Sequence, residues 1–271
     1  MGPLLTAEVL EQMRGALRAR RERVECSLDL KRSLTTVEVS DLDWIWNAAH
    51  FPYPDVCKQR TIYHWGGTRF EPVSRYASSL IKLVPTDWGP PTFEIDGIKM
   101  LPTSRVSPFA DAERKVGLIE PRGKTILDTC GGLGYFAAWC LQGMATRVFS
   151  YEKNPDVLWL RSLNPWSPAE DERLALTHGD IVAAIVDLPS RSFDAALHDP
   201  PRFGIAGELY SQDFYTELAR VLKPRGKLFH YTGTPNRLTS GRDLPREVGR
   251  RLREAGFAVE PSGDGLLAVK R

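Results

Sequence analysis

Four acidic residues stand at or just beyond the ends of apolar, largely aliphatic runs, where carboxylates can meet a ligand. Asp128 closes Thr125-Ile126-Leu127-Asp128 and leads into Thr129-Cys130-Gly131-Gly132-Leu133-Gly134-Tyr135. Glycines there let the backbone turn tightly and approach a ligand without a Cβ in the way. A carboxylate beside such a loop suits a cationic amino group. Glu152, about 20 residues past the loop and followed by Lys153-Asn154, stands where an acid can accept from both hydroxyls of a ribose. Asp180 offers an acceptor for an exocyclic amine, next to Ile181 as an apolar cover for an adenine. Asp199 opens Asp199-Pro200-Pro201-Arg202-Phe203, a rigid turn carrying an acid, a planar cation and a ring. The glycines alone leave two readings open, because Gly132-x-Gly134-x-x-Ala137 also satisfies a dinucleotide pattern. A pyrophosphate needs backbone donors rather than a fixed negative charge, so Asp128 disfavours that reading.

These residues need elements that end together. The runs TILDTC, RVFSYEK, LALTHGD, FDAALHDPP and KLFHYTG read as strands, alternating with helical patterns over Tyr135 to Gln142, PDVLWLRSL, SQDFYTELARVL and PREVGRRLREAGF, with IVAAIVDL between the third and fourth strands. FAVEP and LLAVKR close the chain as a hairpin. Such alternation specifies an α/β, doubly wound, seven-stranded Rossmann-like sheet, whose ligands bind beyond the carboxyl ends of the strands. The first 112 residues differ: a charged helix over Ala7 to Arg23, a strand pair in VECSLDLKRSLTTVEVS, then many aromatics, prolines and glycines. We expect a smaller β-rich accessory or substrate domain over residues 1–112 and a ligand-binding domain over 113–271.

With these motifs, residues from about 123 onward resemble a class I S-adenosyl-L-methionine (SAM)-dependent methyltransferase. The segments HDPPRF…AGELYS, LDTCGGLGY, LNPWS and FEIDGIKM are similar to a group of mainly archaeal-type methyltransferases, extending the likeness into the amino-terminal part. The resemblance implies SAM as cofactor, bound by Asp128, Thr129, Cys130, Gly131, Gly132, Gly134, Tyr135, Glu152, Lys153, Asn154, Asp180, Ile181 and Asp199. It implies a catalytic role for Asp199 at the transferred methyl, with Pro200, Arg202, Phe203 and Tyr210 binding the acceptor. Asp-Pro-Pro followed by an aromatic resembles enzymes that methylate exocyclic base nitrogens, where the aromatic stacks on a flipped base. Here Arg202 takes the aromatic position and Phe203 follows. Asp-Pro-Pro-Arg is also similar to uracil-5 RNA methyltransferases, which place a nucleophilic Cys after the next strand; this chain has His230-Tyr231-Thr232-Gly233 there and no Cys beyond Cys140.

Other features have plainer readings. His198 and His230 fit satisfied core histidines better than general bases. Arg14, Arg18, Arg20, Arg21, Arg23, Lys31 and Arg32, and later Arg237, Arg242, Arg246, Arg250, Arg251 and Arg253, form basic groups that suit either a phosphate-tracking surface or solvated, acid-interleaved faces. Trp44, Trp46, Tyr53, Tyr63 and Trp65 suit the core of a small domain better than base stacking. The formal charge of +2 neither requires nor excludes nucleic acid, and scattered Cys26, Cys57, Cys130 and Cys140 point to neither a metal site nor a disulfide framework. Without an apolar run of roughly 20 residues or a signal-like start, a soluble cytoplasmic protein is expected. The expected function is SAM-dependent methylation of RNA, a tRNA or rRNA base. The alternatives are a small-molecule or protein methyltransferase, a spermidine-synthase-like aminopropyltransferase, and a catalytically silent SAM-fold RNA-binding module.

Overall fold

Parallel strands covered on both faces require nearly continuous apolar sequence. The segments around Asp128 and Asp199 meet that requirement. The structure, a computed structural model, describes residues 2–233 and 243–271. The chain forms two compact units: Met1–Asp111 with Trp159–Trp166, and Ala112–Leu158 with Ser167–Arg271.

In the first unit β1 (Leu4–Leu5) precedes α1 (Ala7–Arg18). Thr6 caps this helix by accepting from the Val9 amide, and Val9, Met13 and Ala16 form its buried stripe. The helix stops at Arg18, short of the expected Arg23, because Arg20 takes a left-handed φ of 54° and Arg23 already belongs to a strand. The expected strand pair is the antiparallel hairpin of β2 (Arg23–Cys26) and β3 (Thr35–Val39), which β4 (Asp43–Trp46) and β5 (Ala49–Pro52) extend into a four-stranded sheet. Of the remaining strands, β6 (Tyr63–Trp65) pairs with β1 on one side and with β7 (Phe70–Pro72) on the other. β8 (Ser74–Tyr76), β9 (Leu80–Val84), β10 (Thr92–Ile95) and β11 (Ile98–Lys99) form a third sheet. Trp44 is fully buried and stacks on Phe51 at 4.6 Å, and Tyr63 shares this core, so these aromatics serve packing.

The second unit begins within α2 (Pro108–Ile119). It continues through β12 (Thr125–Asp128), α3 (Tyr135–Gln142), β13 (Arg147–Glu152), α4 (Pro155–Ser162), β14 (Leu174–His178), α5 (Ile181–Ala184), β15 (Phe193–His198), α6 (Gln212–Val221), β16 (Leu222–Tyr231), α7 (Leu244–Glu254), β17 (Phe257–Ser262) and β18 (Gly265–Lys270). The part of α4 beyond Leu158, with residues 163–166 of the LNPWS segment, belongs to the first unit rather than to the carboxyl-terminal half in which its sequence lies.

The sheet has seven strands in the order β14-β13-β12-β15-β16-β18-β17. β14 through β16 run parallel, and β18 is antiparallel to both its neighbours. The order reverses between β12 and β15, placing a switch point where Asp128 and Asp199 emerge. Phe214, Tyr215 and Leu218 of α6, capped by Ser211, pack into the core with Leu127, Ala196 and Leu228. β16 begins earlier than KLFHYTG suggests: Leu222 pairs with Phe193 and Lys227 with Ala195, so Lys223 to Gly226 form an outward bulge. Arg225 sits at φ 63° within it.

Candidate active site

The register of the parallel strands brings the expected residues to one end of the sheet. Asp128 lies opposite Ser150 on β13, and the Ser150 hydroxyl donates to Asp128 Oδ2 at 2.8 Å. Asp128 is buried, and the loop after it is held from both sides: Thr129 N–H donates to Leu197 O on β15, and Gly131 N–H to Tyr151 O on β13. Gly132 and Gly134 adopt positive φ of 49° and 81°, and Gly134 opens α3 with no side-chain cap. The glycines therefore form a turn that keeps side chains away from the amino-terminal end of α3.

Glu152 ends β13 and binds across this loop. Its Oε2 accepts from Gly132 N–H and its Oε1 from Asn154 N–H, each at 2.8 Å. Asn154 in turn caps α4, its Oδ1 accepting from Asp156 N–H at 2.9 Å. Asp180 caps α5 by accepting from Val182 N–H at 2.9 Å, and its other oxygen meets Lys153 Nζ at 2.7 Å. Burial alone would raise the Asp180 pKa, but the bonds from Lys153 and Val182 hold it below the ordinary carboxylate value. Ile181 is buried among Tyr151 and Ile185 as part of the sheet's core.

Cys130 lies among the acids. Burial pushes its thiol well above the ordinary value, and the charges of Glu152, Asp128 and Asp199 push the same way, against its contact with the Thr129 hydroxyl. The group is a protonated thiol rather than a nucleophile.

Asp199 follows β15. Pro200 is buried, while Arg202 is exposed and Phe203 half-buried. The Tyr210 ring lies 5.4 Å from that of Phe203, but Tyr210 is only 2% exposed and its hydroxyl donates to Pro201 O at 2.9 Å. Tyr210, expected to bind the acceptor, braces the Asp-Pro-Pro turn through this bond. Asp199 Oδ2 is bound by Lys115 Nζ at 3.0 Å, a partner the motifs did not reveal. The signal for it lies in α2: Ala112, Lys115, Val116 and Ile119 keep the i, i+3, i+4, i+7 spacing of a buried stripe, with a lysine in the middle.

The two histidines, in register on β15 and β16, are both fully buried with ring centroids 4.4 Å apart. His198 Nε2–H donates to Leu209 O, leaving Nδ1 to accept from the Thr129 hydroxyl at 2.7 Å. His230 Nδ1–H donates to Tyr231 O, leaving Nε2 to accept from Tyr215 O–H at 2.8 Å. Both are satisfied core groups. Tyr215→Phe should cost about 1–3 kcal/mol by stranding His230 Nε2 in a dry core. Urea unfolding checks this, and an unchanged midpoint would mean that the bond carries no weight.

The basic groups are engaged locally in several places. Arg18 pairs with Glu11, Arg23 with Glu38, Lys31 with Glu8 and Arg250 with Glu254, while Arg251 donates to Tyr210 O. Arg237 and Arg242 lie outside the described residues. No helix among the described residues is long and apolar enough to cross a membrane.

Residues 159–263 match a family described as S-adenosyl-L-methionine-dependent methyltransferase. An uncharacterized protein of Methanocaldococcus jannaschii is 45% identical over 195 residues, covering 70% of this chain and 66% of that protein. The chain thus spans just under two thirds of that relative's length. Its fold resembles spermidine synthase from Thermotoga maritima, with a TM-score of 0.57, 19% identity, and 73% of this chain and 71% of that one covered. It also resembles MnmC2 from Aquifex aeolicus, with a TM-score of 0.53, 18% identity, and 72% and 71% covered. Fold and family match together support a SAM-dependent methyltransferase with SAM as cofactor. The residues that could hold that molecule are Asp128 beside the glycine-rich loop for its ammonium end, Glu152 for its ribose and Asp180 for its adenine.

Proposed function

We propose that this chain transfers a methyl group from SAM to a nucleophile on RNA, a base of tRNA or rRNA. The observation that carries the reading is Asp199. Leu197 is the register partner of Asp128 across β12 and β15, so Asp199, two residues further on, stands at the switch point next to the proposed cofactor loop. Asp128 would hold the ammonium, Glu152 the ribose and Asp180 the adenine amine. SAM supplies an electrophilic methyl group and leaves as S-adenosylhomocysteine. Asp199 accepts the hydrogen bond of the acceptor's N–H or O–H, fixes its lone pair in line, and takes up the released proton for passage to solvent. Alignment supplies much of the rate in such a transfer, so a strong base is not required. Exposed Arg202 and half-buried Phe203 flank the turn with a planar cation and a ring, groups that suit a nucleobase.

Calorimetric titration with SAM, S-adenosylhomocysteine, decarboxylated SAM and NAD tests the cofactor, and labelled methyl transfer to total RNA tests the acceptor. Selective binding of the first two is expected. Glu152→Ala should weaken both by about 100-fold, through loss of charge-assisted bonds worth roughly 1.5–3 kcal/mol each and of the anchor on Gly132. Binding of none of the four would overturn the enzyme reading; label in protein or small molecules instead of RNA would overturn the acceptor.

A further inference from the structure

Lys115 occupies an unusual place for a lysine. Its side chain is 2% exposed, on a helix whose other buried positions include Ala112, Val116 and Ile119 as well as Asp111, and its ammonium lies 3.0 Å from Asp199 Oδ2. The same Nζ stands 4.4 Å above the Tyr231 ring, with the Phe136 and Phe229 rings at 5.7 and 5.9 Å. Aromatic faces attract cations, so rings from α3 and β16 with a carboxylate from the end of β15 make a cage that keeps the charge in place. Asp199, at 17% exposure, is thereby the partner of a resident cation before any acceptor arrives.

We infer that Lys115 is a specificity-determining positioning residue: by compensating Asp199 it makes the acceptor site refuse ammonium groups and take an uncharged N–H or O–H nucleophile. A bare carboxylate at this point would draw in amines, which are protonated at neutral pH. With Lys115 in place, an incoming ammonium meets a fixed like charge held at the same carboxylate, and such juxtapositions select strongly against the wrong partner. A neutral exocyclic amine, amide or hydroxyl needs only an acceptor, which a carboxylate paired with a lysine still provides. The inference rests on the assignment of Asp199 to the acceptor, and it narrows the acceptor to a neutral group.

The test uses the full chain as wild type, Lys115→Gln and Lys115→Arg. Gln keeps a donor toward Asp199 without the charge, and Arg keeps the charge. Each protein is titrated with 1,4-diaminobutane, with and without saturating S-adenosylhomocysteine, across pH 6 to 9. Wild type and Lys115→Arg should show no diamine binding at millimolar concentration; Lys115→Gln should gain it, at least about tenfold tighter. The gain should fade toward the high end of the range, where the diamine begins to lose protons, a signature that loosened packing would not give. Should Lys115→Gln not fold, Lys115→Met takes its place, and the wild-type titration decides independently. Diamine binding to wild type, or equal behaviour of Gln and Arg variants, overturns the inference. Failure of S-adenosylhomocysteine to bind wild type overturns the cofactor reading instead, and the diamine contrast is read without it.

Discussion

Asp199→Ala should lower methyl transfer by about 10²- to 10⁴-fold, the range for removing a group that handles the acceptor's proton. The Kd for S-adenosylhomocysteine should move by less than about threefold. Loss confined to turnover is expected because the residues proposed to hold the cofactor, Asp128, Glu152 and Asp180, have anchors of their own in Ser150, Gly132, Asn154, Val182 and Lys153. Removing Asp199 has a second effect, since it leaves the Lys115 ammonium buried without its carboxylate. Breaking a buried pair on one side costs about 3 kcal/mol or more, softened here by the partial exposure of Asp199. Asp199→Asn, which keeps an oxygen for the ammonium, should fold better yet transfer as poorly. Parallel measurement of turnover, product affinity and unfolding midpoint separates these effects. Turnover retained in a folded variant would remove Asp199 from the mechanism.

Acid should destabilise the protein well before its carboxylates titrate. Burial lowers the His230 pKa from 6.5 to about 4 and holds that of His198 well below 6.5, with the charge of His230 also disfavouring that of His198. Both are neutral when folded and bind protons readily when unfolded. Their contribution is therefore fully present above pH 6.5 and is lost as pH falls toward 4. Linkage gives about 1.4 kcal/mol per pH unit for each group, so His230 alone removes roughly 3 kcal/mol across that window and His198 acts in the same direction. Urea midpoints between pH 7.5 and 4.5 check this: a steep decline below pH 6.5 is expected, and a flat profile would show that the two rings are solvated.

The sequence made the sheet legible because its parallel strands are buried on both faces, so that TILD and FDAALH read as strands without alternation. Their termini then exposed Asp128, Glu152, Asp180 and Asp199. Three features were hidden for separate reasons. Lys115 looks like any helical lysine until its stripe is known to face the core. Tyr210 stands near the loop after Arg202 in sequence, and only the fold of the Asp-Pro-Pro turn shows its hydroxyl bonded to Pro201 O. Pro224-Arg225-Gly226 carries every mark of a turn, yet the pairing of Leu222 with Phe193 absorbs it as a bulge within β16.

The interleaving of the two units bears on how the chain is made. Residues 1–111 cannot complete their own packing when Asp111 is synthesised, because Trp159–Trp166 belongs with them. The first unit must wait while α2, β12, α3 and β13 are translated, and those elements belong to a sheet that still lacks β15 and β16. Domains usually fold in order as they emerge; here the amino-terminal unit is held open by a stretch encoded inside the other. A gene cut after Asp111 would leave the first unit without Trp159–Trp166, and one after Trp166 would leave the second without Ala112–Leu158, so no single cut delivers both units whole.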